Sequence, residues 1–175
     1  MTTLLGISGS LRKASTNTKL MRNAGRIFAP DTFIEADLRL PLYDGDLEAE
    51  GIPQSVQTLA GQIAKADAVV IAGPEYNKSI SGVLKNALDW VSRTEGNPWK
   101  DKPVAIMSAT AGRAGGERTQ FALRHCLFAF APALIYQPEV LVADSANQFD
   151  DDDMLTNEVN LKMLTQQMEK LRSMI

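Results

Sequence analysis

Short apolar segments alternate with longer segments of helical period along the chain, and this alternation constrains the fold more than any other feature. Five segments have the apolar, β-branched composition of strands. In chain order they are TTLLGIS, TFIEA, DAVVIAG, KPVAIMSA and PALIYQPEVLVA. The third is apolar on both faces, as a central strand of a parallel sheet should be. The alternation predicts a doubly wound α/β fold, with a five-stranded parallel sheet and helices on both faces.

Segments with helical spacing of apolar residues follow the strands. The first predicted helix covers Thr16–Phe28, and a loop, LPLYDGDLEAEGIP, precedes a helix that begins after Pro53 and ends near Ala66. The remaining helices are predicted around Leu84–Val91, over Gly116–Phe130 and around Leu161–Leu171. No linker, repeat or low-complexity tract interrupts the pattern, so residues 1–175 are interpreted as a single domain.

Charge and composition exclude several classes of protein. The formal net charge is −3, so no overall basic field favours nucleic acid as a partner. Cys126 is the only cysteine, which excludes a disulfide framework, and the run Asp150–Asp153 lacks the alternate spacing of a calcium loop. No metal site is expected. Without a secretory leader or an apolar run of ~18 residues, the sequence predicts a cytoplasmic protein with no membrane partner.

The segment GISGSLRKASTN, residues 6–17, has the composition of an anion-binding turn between a strand and a helix. Its glycine spacing matches neither the dinucleotide fingerprint nor the nucleoside-triphosphate loop. It offers hydroxyl, amide and guanidinium groups, to which a helix start adds N–H donors and a positive dipole end. The segment therefore predicts a site for a phosphate monoester, with simple capping of the helix by Ser15 or Thr16 as the alternative.

Two further polar loops follow the third and fourth strands, over residues 73–82 and 108–116. In a doubly wound sheet, ligands bind beyond the carboxyl ends of the strands, where such loops meet. Pro74 fixes the first of these turns, Tyr76 offers a flat face and Asn77 can pair with the edge of a heterocyclic amide. This loop is therefore interpreted as the site of a planar ligand. Glu75 is interpreted as orienting the loop, because no second carboxylate is at hand for acid–base catalysis.

These segments together resemble the NAD(P)H-dependent FMN reductase family, the flavodoxin-like branch that includes quinone, chromate and azo-dye reductases. The resemblance rests on GSLRKxSxN at residues 9–17, on PEYN at residues 74–77 and on GxLKNALDW at residues 82–90. It implies a flavodoxin-like, FMN-binding fold that forms a homodimer or homotetramer. It also implies NADPH or NADH as the hydride donor and a small molecule such as a quinone as the electron acceptor.

The resemblance implies cofactor contacts from all three loops. In the third loop, SATAGRAGG, the best match to the residue beside the flavin is Thr110. The implied FMN-binding residues are Ser10, Leu11, Arg12, Lys13, Ser15, Thr16, Asn17, Pro74, Glu75, Tyr76, Asn77, Lys78 and Thr110. Changing Arg12 or Asn17 to alanine is expected to weaken flavin binding much more than it alters the fold.

The implied chemistry is carried by the flavin, and no side chain acts as nucleophile or general acid. NAD(P)H passes hydride to N5 of FMN, and the acceptor then takes the electrons in a ping-pong sequence. Backbone N–H groups of the second and third loops are expected to stabilise negative charge on the reduced ring. Two alternatives stay open: a flavodoxin-like electron carrier with no nicotinamide oxidation of its own, and a domain that has kept the fold but lost the flavin.

The segment RTQFALRHCLFAFAP is apolar almost all round, which is typical of a deeply buried helix or a subunit interface. Together with the Trp90 end of the preceding helix, it is the candidate dimer surface. Within this segment, Cys126 is expected to be buried and His125 to be partly exposed or at the interface.

Overall fold

A parallel sheet forms the centre of the computed structural model, which describes residues Met1–Ile175. The strands are β1 Thr3–Ser8, β2 Thr32–Glu35, β3 Ala68–Ala72, β4 Pro103–Ala109, β5 Ala133–Leu134 and β6 Val140–Val142. They pair in the order β2-β1-β3-β4-β5, with β6 also paired to β4, and every pairing is parallel. Strand order 2-1-3-4-5 is that of flavodoxin-like proteins. The doubly wound α/β fold is therefore confirmed.

Five of the six α-helices pack on the two faces of the sheet, and two short 3₁₀ helices lie at Phe128–Phe130 and Ser145–Asn147. No helix combines the length and the apolar character that crossing a membrane requires. The α-helices are α1 Thr16–Phe28, α2 Gly45–Glu50, α3 Gln54–Lys65, α4 Gly82–Val91, α5 Glu117–Leu127 and α6 Glu158–Arg172.

The sheet separates two hydrophobic cores. Strand β3 supplies both, because alternate side chains of a strand point to opposite faces. Ala68, Val70 and Ala72 pack with α1 and α6, whereas Val69 and Ile71 pack with α3, α4 and α5. All five side chains are fully buried. This two-sided burial explains why residues 68–72, AVVIA, are apolar without interruption.

The last predicted strand, PALIYQPEVLVA, is divided into β5 and β6, which pair with the beginning and the end of β4 respectively. Pro138 lies between them and has no N–H to donate to the ladder. The side-chain amide of Gln167 on α6 fills part of the gap. Its Nε2 donates to the carbonyls of Ile106 on β4, at 3.1 Å, and of Pro138, at 3.0 Å.

Helix α2 lies in the segment that the sequence predicts to be a loop. None of its residues is buried, so no apolar periodicity marks it. Asp44 caps its N-terminus by accepting from the Asp46 N–H at 2.9 Å. Glu48 accepts from the Tyr43 hydroxyl at 2.8 Å and from Arg93 Nε at 3.0 Å. Polar contacts with neighbouring segments therefore stabilise this helix, and its own sequence does not signal them.

The Glu48 carboxylate should make the stability of this region depend on pH. The hydrogen bond from Tyr43, followed by that from Arg93, lowers the pKa of Glu48 in the folded protein. A lowered carboxylate pKa stabilises the fold above the unfolded value of about 4.3, and this stabilisation is lost as pH falls through the folded pKa. We expect Glu48→Gln to lower the free energy of unfolding at pH 7 and to match the wild type in strong acid. Urea titrations across pH test this, and a difference that persists in acid would contradict it.

Candidate functional site

Four loops meet at the carboxyl edge of the sheet and enclose a cavity of about 510 Å³. They follow β1, β3, β4 and β6. Sites for cofactors and small molecules usually measure roughly 300–1,000 Å³, so this volume fits a cofactor. The lining residues are Ser10, Arg12, Ser15, Thr16, Asn17, Pro74, Glu75, Tyr76, Ala109, Thr110, Ala111, Ser145 and Ala146.

The structure brings nine of the thirteen predicted cofactor residues into this one cavity. The nine are Ser10, Arg12, Ser15, Thr16, Asn17, Pro74, Glu75, Tyr76 and Thr110. Leu11 and Lys13 instead line a neighbouring cavity on the outer side of the first loop. Asn77 and Lys78 are exposed and line neither cavity. The contacts of all thirteen with a cofactor stay predictions.

The first and second loops are held in contact at Gly9. A Cβ atom at this position would lie 3.2 Å from the Pro74 ring and 3.2 Å from Ser81 Oγ, so a side chain would crowd both. The Ser81 hydroxyl donates to the Gly9 carbonyl at 2.7 Å and also caps α4 by accepting from the Leu84 N–H. The glycine therefore permits the close approach that brings the two loops to one cavity.

The N-terminus of α1 opens into the cavity. Ser15 is its N-cap and accepts from the Thr18 N–H at 3.3 Å, as the capping alternative predicts. Capping leaves the N–H groups of Thr16 and Asn17 without an acceptor, because the first turn of a helix has no preceding carbonyls to use. The Thr16 hydroxyl donates to Ser145 Oγ at 3.1 Å. The loop therefore caps its helix and still has donors available for an anion.

Asn17 has a structural role that its sequence context does not reveal. Its side chain is only 3% exposed. Nδ2 donates to the Ala109 carbonyl at 2.8 Å, and Oδ1 accepts from the Ala109 N–H at 3.0 Å. Both polar atoms of the amide therefore join α1 to the end of β4, which leaves the backbone N–H of Asn17 to meet a ligand.

The second loop turns sharply at its tip. Tyr76 and Ser79 exchange two backbone hydrogen bonds of 3.0 Å around Asn77 and Lys78, whose φ angles are 51° and 66°. Two successive residues with positive φ are typical of a type I′ turn, for which asparagine is a preferred residue. The turn explains why Asn77 lies outside the cavity, whereas Tyr76, which is 50% exposed, lies at its mouth.

Glu75 connects the second loop to helix α5. Its Oε2 accepts from the backbone N–H groups of Arg118, at 3.2 Å, and Thr119, at 3.4 Å. A carboxylate is favoured there because the helix N-terminus carries a partial positive charge. The Thr119 hydroxyl also donates to the Pro74 carbonyl at 3.0 Å. These contacts agree with the interpretation that Glu75 orients the loop.

The third loop is shaped by two glycines and a buried hydroxyl. Gly115 and Gly116 have φ angles of 60° and 92°, and a Cβ at Gly115 would lie 2.6 Å from the backbone of Leu141. The Ser108 hydroxyl donates to the Gly115 carbonyl at 2.6 Å and accepts from Gln120 Nε2 at 2.9 Å. These contacts fix the loop that carries Thr110 into the cavity wall.

The fourth loop, which supplies Ser145 and Ala146, is missing from the sequence-based site. Ser145 is buried, and its N–H donates to the Thr110 carbonyl at 3.0 Å. The sequence does signal this loop through its position after the last strand. Ligands bind beyond the carboxyl ends of the strands, and that rule applies to this loop as it does to the other three.

The candidate dimer surface stays a prediction, and the structure shows which of its residues are exposed. Trp90 is fully buried within the chain, where its Nε1 donates to the Pro41 carbonyl at 2.8 Å and its ring packs edge-on against Tyr43. Its side chain therefore offers no exposed surface at that end of α4. On α5 and the 3₁₀ helix after it, Phe121 and Phe128 are 58% and 84% exposed. His125 is exposed, and Cys126 is partly buried rather than fully buried.

Two polar residues of the first loop, Asn17 and Arg12, should respond differently to substitution. Asn17→Ala removes both partners of the Ala109 backbone inside the protein, and we expect it to lower the free energy of unfolding by about 1–3 kcal/mol. Arg12 is exposed and its side chain has no hydrogen-bond or ion-pair partner, so Arg12→Ala should leave stability unchanged. Urea denaturation of both variants measures this. Equal stability of Asn17→Ala and the wild type would contradict the structural role.

Comparison with known proteins agrees with this geometry. The family model described as NADPH-dependent FMN reductase matches residues 2–148. An NAD(P)H-dependent FMN reductase of Pseudomonas aeruginosa is 41% identical over 171 residues, which cover 97% of this chain and 92% of the relative. A quinone reductase of Escherichia coli K12 is 40% identical over 146 residues, or 81% and 78% of the two chains.

A solved structure extends the match to three dimensions. FerB, a flavoenzyme NAD(P)H:(acceptor) oxidoreductase from Paracoccus denitrificans, superposes with a TM-score of 0.88 at 33% identity, covering 99% of this chain and 96% of that one. These matches confirm the family and the flavodoxin-like fold that the sequence predicts. The chain therefore belongs to the NADPH-dependent FMN reductase family.

Proposed function

We propose that this protein is an FMN-dependent reductase that oxidises NAD(P)H and reduces quinones or similar small acceptors, with FMN held in the four-loop cavity. The observation that carries the proposal is the convergence of an anion-binding helix start and a fixed tyrosine-bearing turn on one cavity. When bound, FMN supplies the redox chemistry, accepting hydride at N5 and giving up two electrons to the acceptor.

The end of the cavity at α1 suits the phosphate of FMN. The backbone N–H groups of Thr16 and Asn17 lie at a helix N-terminus, where both free donors and the helix dipole favour an anion. The hydroxyls of Ser10 and Ser15 line the same wall. The Arg12 guanidinium has no carboxylate partner within the chain, so it is free to form charge-assisted hydrogen bonds with a dianion.

The opposite end suits a flat ring that gains negative charge on reduction. Ala109 and Ala111 have small side chains, which leave room for a ring between the second and third loops. The backbone N–H groups of Glu75 and Ala111 donate to no group of the chain. Fixed, unused N–H donors beside a bound ring stabilise charge at little reorganisation cost. Side-chain acid–base catalysis is unnecessary in this account.

The charges around the cavity favour a nicotinamide nucleotide over a protein redox partner. Arg12, Lys13, Lys78 and Arg113 are all exposed on its loops, whereas Glu75 is turned to α5. A cationic rim attracts the anionic NAD(P)H and differs from the carboxylate-rich rim expected of an electron carrier. Donor and acceptor would use the same open face in turn, which gives ping-pong kinetics.

The proposed assembly is a homodimer or homotetramer in the cytoplasm. Phe121 and Phe128 lie seven positions apart, and therefore on one face of the α5 segment, where both are largely exposed. A second copy that covers this face would remove apolar surface from water. Sedimentation equilibrium of the wild type and of Phe128→Ser measures the state of association. A monomeric wild type would contradict the proposed assembly.

The proposed phosphate site predicts a difference between two flavins. Arg12→Gln should weaken FMN binding about tenfold, because one charge-assisted contact to the phosphate is lost. Riboflavin has no phosphate, so its dissociation constant should not change. Flavin fluorescence titrations measure both constants, with Arg26→Gln on the far part of α1 as the control. An equal loss for both flavins, or none for either, would place the phosphate elsewhere.

The proposed reaction is tested by steady-state assay of the FMN-loaded protein with NADPH, NADH and a soluble quinone. We expect turnover without any partner protein and parallel lines in double-reciprocal plots, because the oxidised nucleotide leaves before the quinone binds. Turnover that begins only when a second redox protein is added would support the electron-carrier alternative instead.

A further inference from the structure

A second cavity, of about 190 Å³, lies on the outer side of the first loop. Its walls come from the first loop, from α1 and from the segment Glu35–Arg39 that begins at the end of β2. Ser10 and Arg12 line both this cavity and the four-loop cavity. A group bound here would therefore lie beside the flavin site, separated from it only by the loop assigned to the FMN phosphate.

The lining of this second cavity is electropositive. It contains four cations, Arg12, Lys13, Arg22 and Arg39, and two carboxylates, Glu35 and Asp37, which leaves a formal excess of two positive charges. Both carboxylates already have partners. Glu35 accepts from Arg22 Nε and Nη2 at 2.8 and 2.9 Å, and Asp37 accepts from Arg39 Nη1 at 3.2 Å.

Lys13 and Arg12 are the cations of this lining that form no ion pair with the chain. The pairing of Glu35 with Arg22 is strong enough to raise the pKa of that guanidinium, so Glu35 repels an incoming anion less than a free carboxylate would. The unpaired charge is therefore concentrated on the first loop, where it faces the Asp37–Arg39 pair across the cavity.

The two walls are connected before any ligand binds. Arg39 Nη2 donates to the Leu11 carbonyl at 3.4 Å, which links the segment after β2 to the first loop. The Ala36 N–H donates to the Gly6 carbonyl at 2.8 Å, continuing the pairing of β2 with β1, and Leu38 is buried in the core. The cavity is thus preformed, and ligand binding would require little ordering.

The size and charge of the cavity select the class of ligand. Its volume is below the roughly 300–1,000 Å³ of a site that encloses a whole small molecule. A cationic cavity of this size suits a single phosphate group on a ligand that extends elsewhere. In the proposed reaction the nucleotide lies over the neighbouring flavin, and NADPH differs from NADH only by a 2′-phosphate.

We propose that this cavity binds the 2′-phosphate of NADPH, with Lys13 and Arg39 as the residues that select NADPH over NADH. The inference rests on the proposed function, because it assumes that the nucleotide binds over FMN in the adjoining cavity. Arg12 is shared with the flavin site, and Arg22 is held by both oxygens of Glu35, so the selectivity is assigned to the other two cations, Lys13 and Arg39.

The first test compares the two nucleotides in charge-removing variants. Arg39→Gln should lower kcat/KM for NADPH about tenfold, as expected for losing one contact to a charged group, while kcat/KM for NADH stays unchanged. Lys13→Gln should lower kcat/KM for NADPH about tenfold more than kcat/KM for NADH, because Lys13 also belongs to the cationic rim that attracts both nucleotides. Lys100→Gln is the matched control, since Lys100 is exposed in the turn before β4, at the opposite edge of the sheet. A wild type that prefers NADH, or equal losses for both nucleotides, would overturn the proposal.

A binding measurement separates this proposal from the proposed function. Calorimetry of the FMN-loaded protein should detect 2′,5′-ADP, with binding weakened about tenfold in Lys13→Gln and in Arg39→Gln. Adenosine 5′-monophosphate, which lacks the 2′-phosphate, should bind more weakly to the wild type and equally to all variants. If inorganic phosphate competes as well as 2′,5′-ADP does, the cavity is a general phosphate site and the nucleotide assignment is wrong.

The affinity for FMN distinguishes the remaining cases. Lys13→Gln should bind FMN as the wild type does, because Lys13 does not line the four-loop cavity. If Lys13→Gln weakens FMN binding, Lys13 belongs to the flavin site and the present proposal fails. If neither nucleotide is oxidised although 2′,5′-ADP binds as expected, the proposed function fails and the phosphate site stands.

Discussion

Backbone hydrogen bonds that continue the sheet beyond its strands hold the whole site together. The Gly9 N–H donates to the Ala72 carbonyl at 2.8 Å, Gly73 to Met107 at 3.1 Å and Thr110 to Val142 at 2.9 Å. Each bond fixes the beginning of one loop to the end of the neighbouring strand. Because all the strands are parallel, their carboxyl ends share one edge, and the loops that follow them converge there. Side-chain contacts from Asn17, Glu75 and Ser81 then connect the loops to one another.

The backbone supplies many of the hydrogen-bonding groups that the site offers to a ligand. The groups available at the cavity are the N–H donors of a helix start, a few hydroxyls and one unpaired guanidinium, whereas the single carboxylate, Glu75, is committed to α5. Such a surface can bind a phosphate and stabilise developing negative charge, but it contains no evident acid–base pair. This is the division of labour expected of an enzyme whose cofactor carries the reaction, and it matches the family to which the chain belongs.

The sequence predicts most of the architecture, because period-2 and period-3.6 patterns distinguish the strands from the helices that cover them. Helix α1 has the predicted bounds, Thr16–Phe28, since its cap and its apolar face are both local signals. Helix α2 is different, because Tyr43 and Arg93 hold Glu48 through contacts that no local pattern reveals. The same limit applies to Trp90, whose burial depends on a loop some fifty positions earlier in the chain.

Within the site, residue type predicts which loops take part but not what each side chain does. Asparagine is a residue type that often contacts ligands, yet the side-chain amide of Asn17 is hydrogen-bonded to the backbone of Ala109, which is 92 positions away. Asparagine is favoured at position 77 because the turn requires a positive φ there. Ser145 could have been found from the position of its loop after the last strand, and the division of that strand could have been found from Pro138, which has no N–H to donate to the ladder. Long-range pairing decides these roles, and one sequence does not encode it visibly.

We propose that the four-loop cavity holds FMN as a redox group that NAD(P)H reduces directly. The most direct measurement is an anaerobic titration of the FMN-reconstituted protein with NADPH, followed by visible absorbance. We expect one equivalent of NADPH to bleach the bound flavin at a rate compatible with turnover, and a quinone then to restore the oxidised spectrum. Bound flavin that neither NADPH nor NADH reduces would contradict the account.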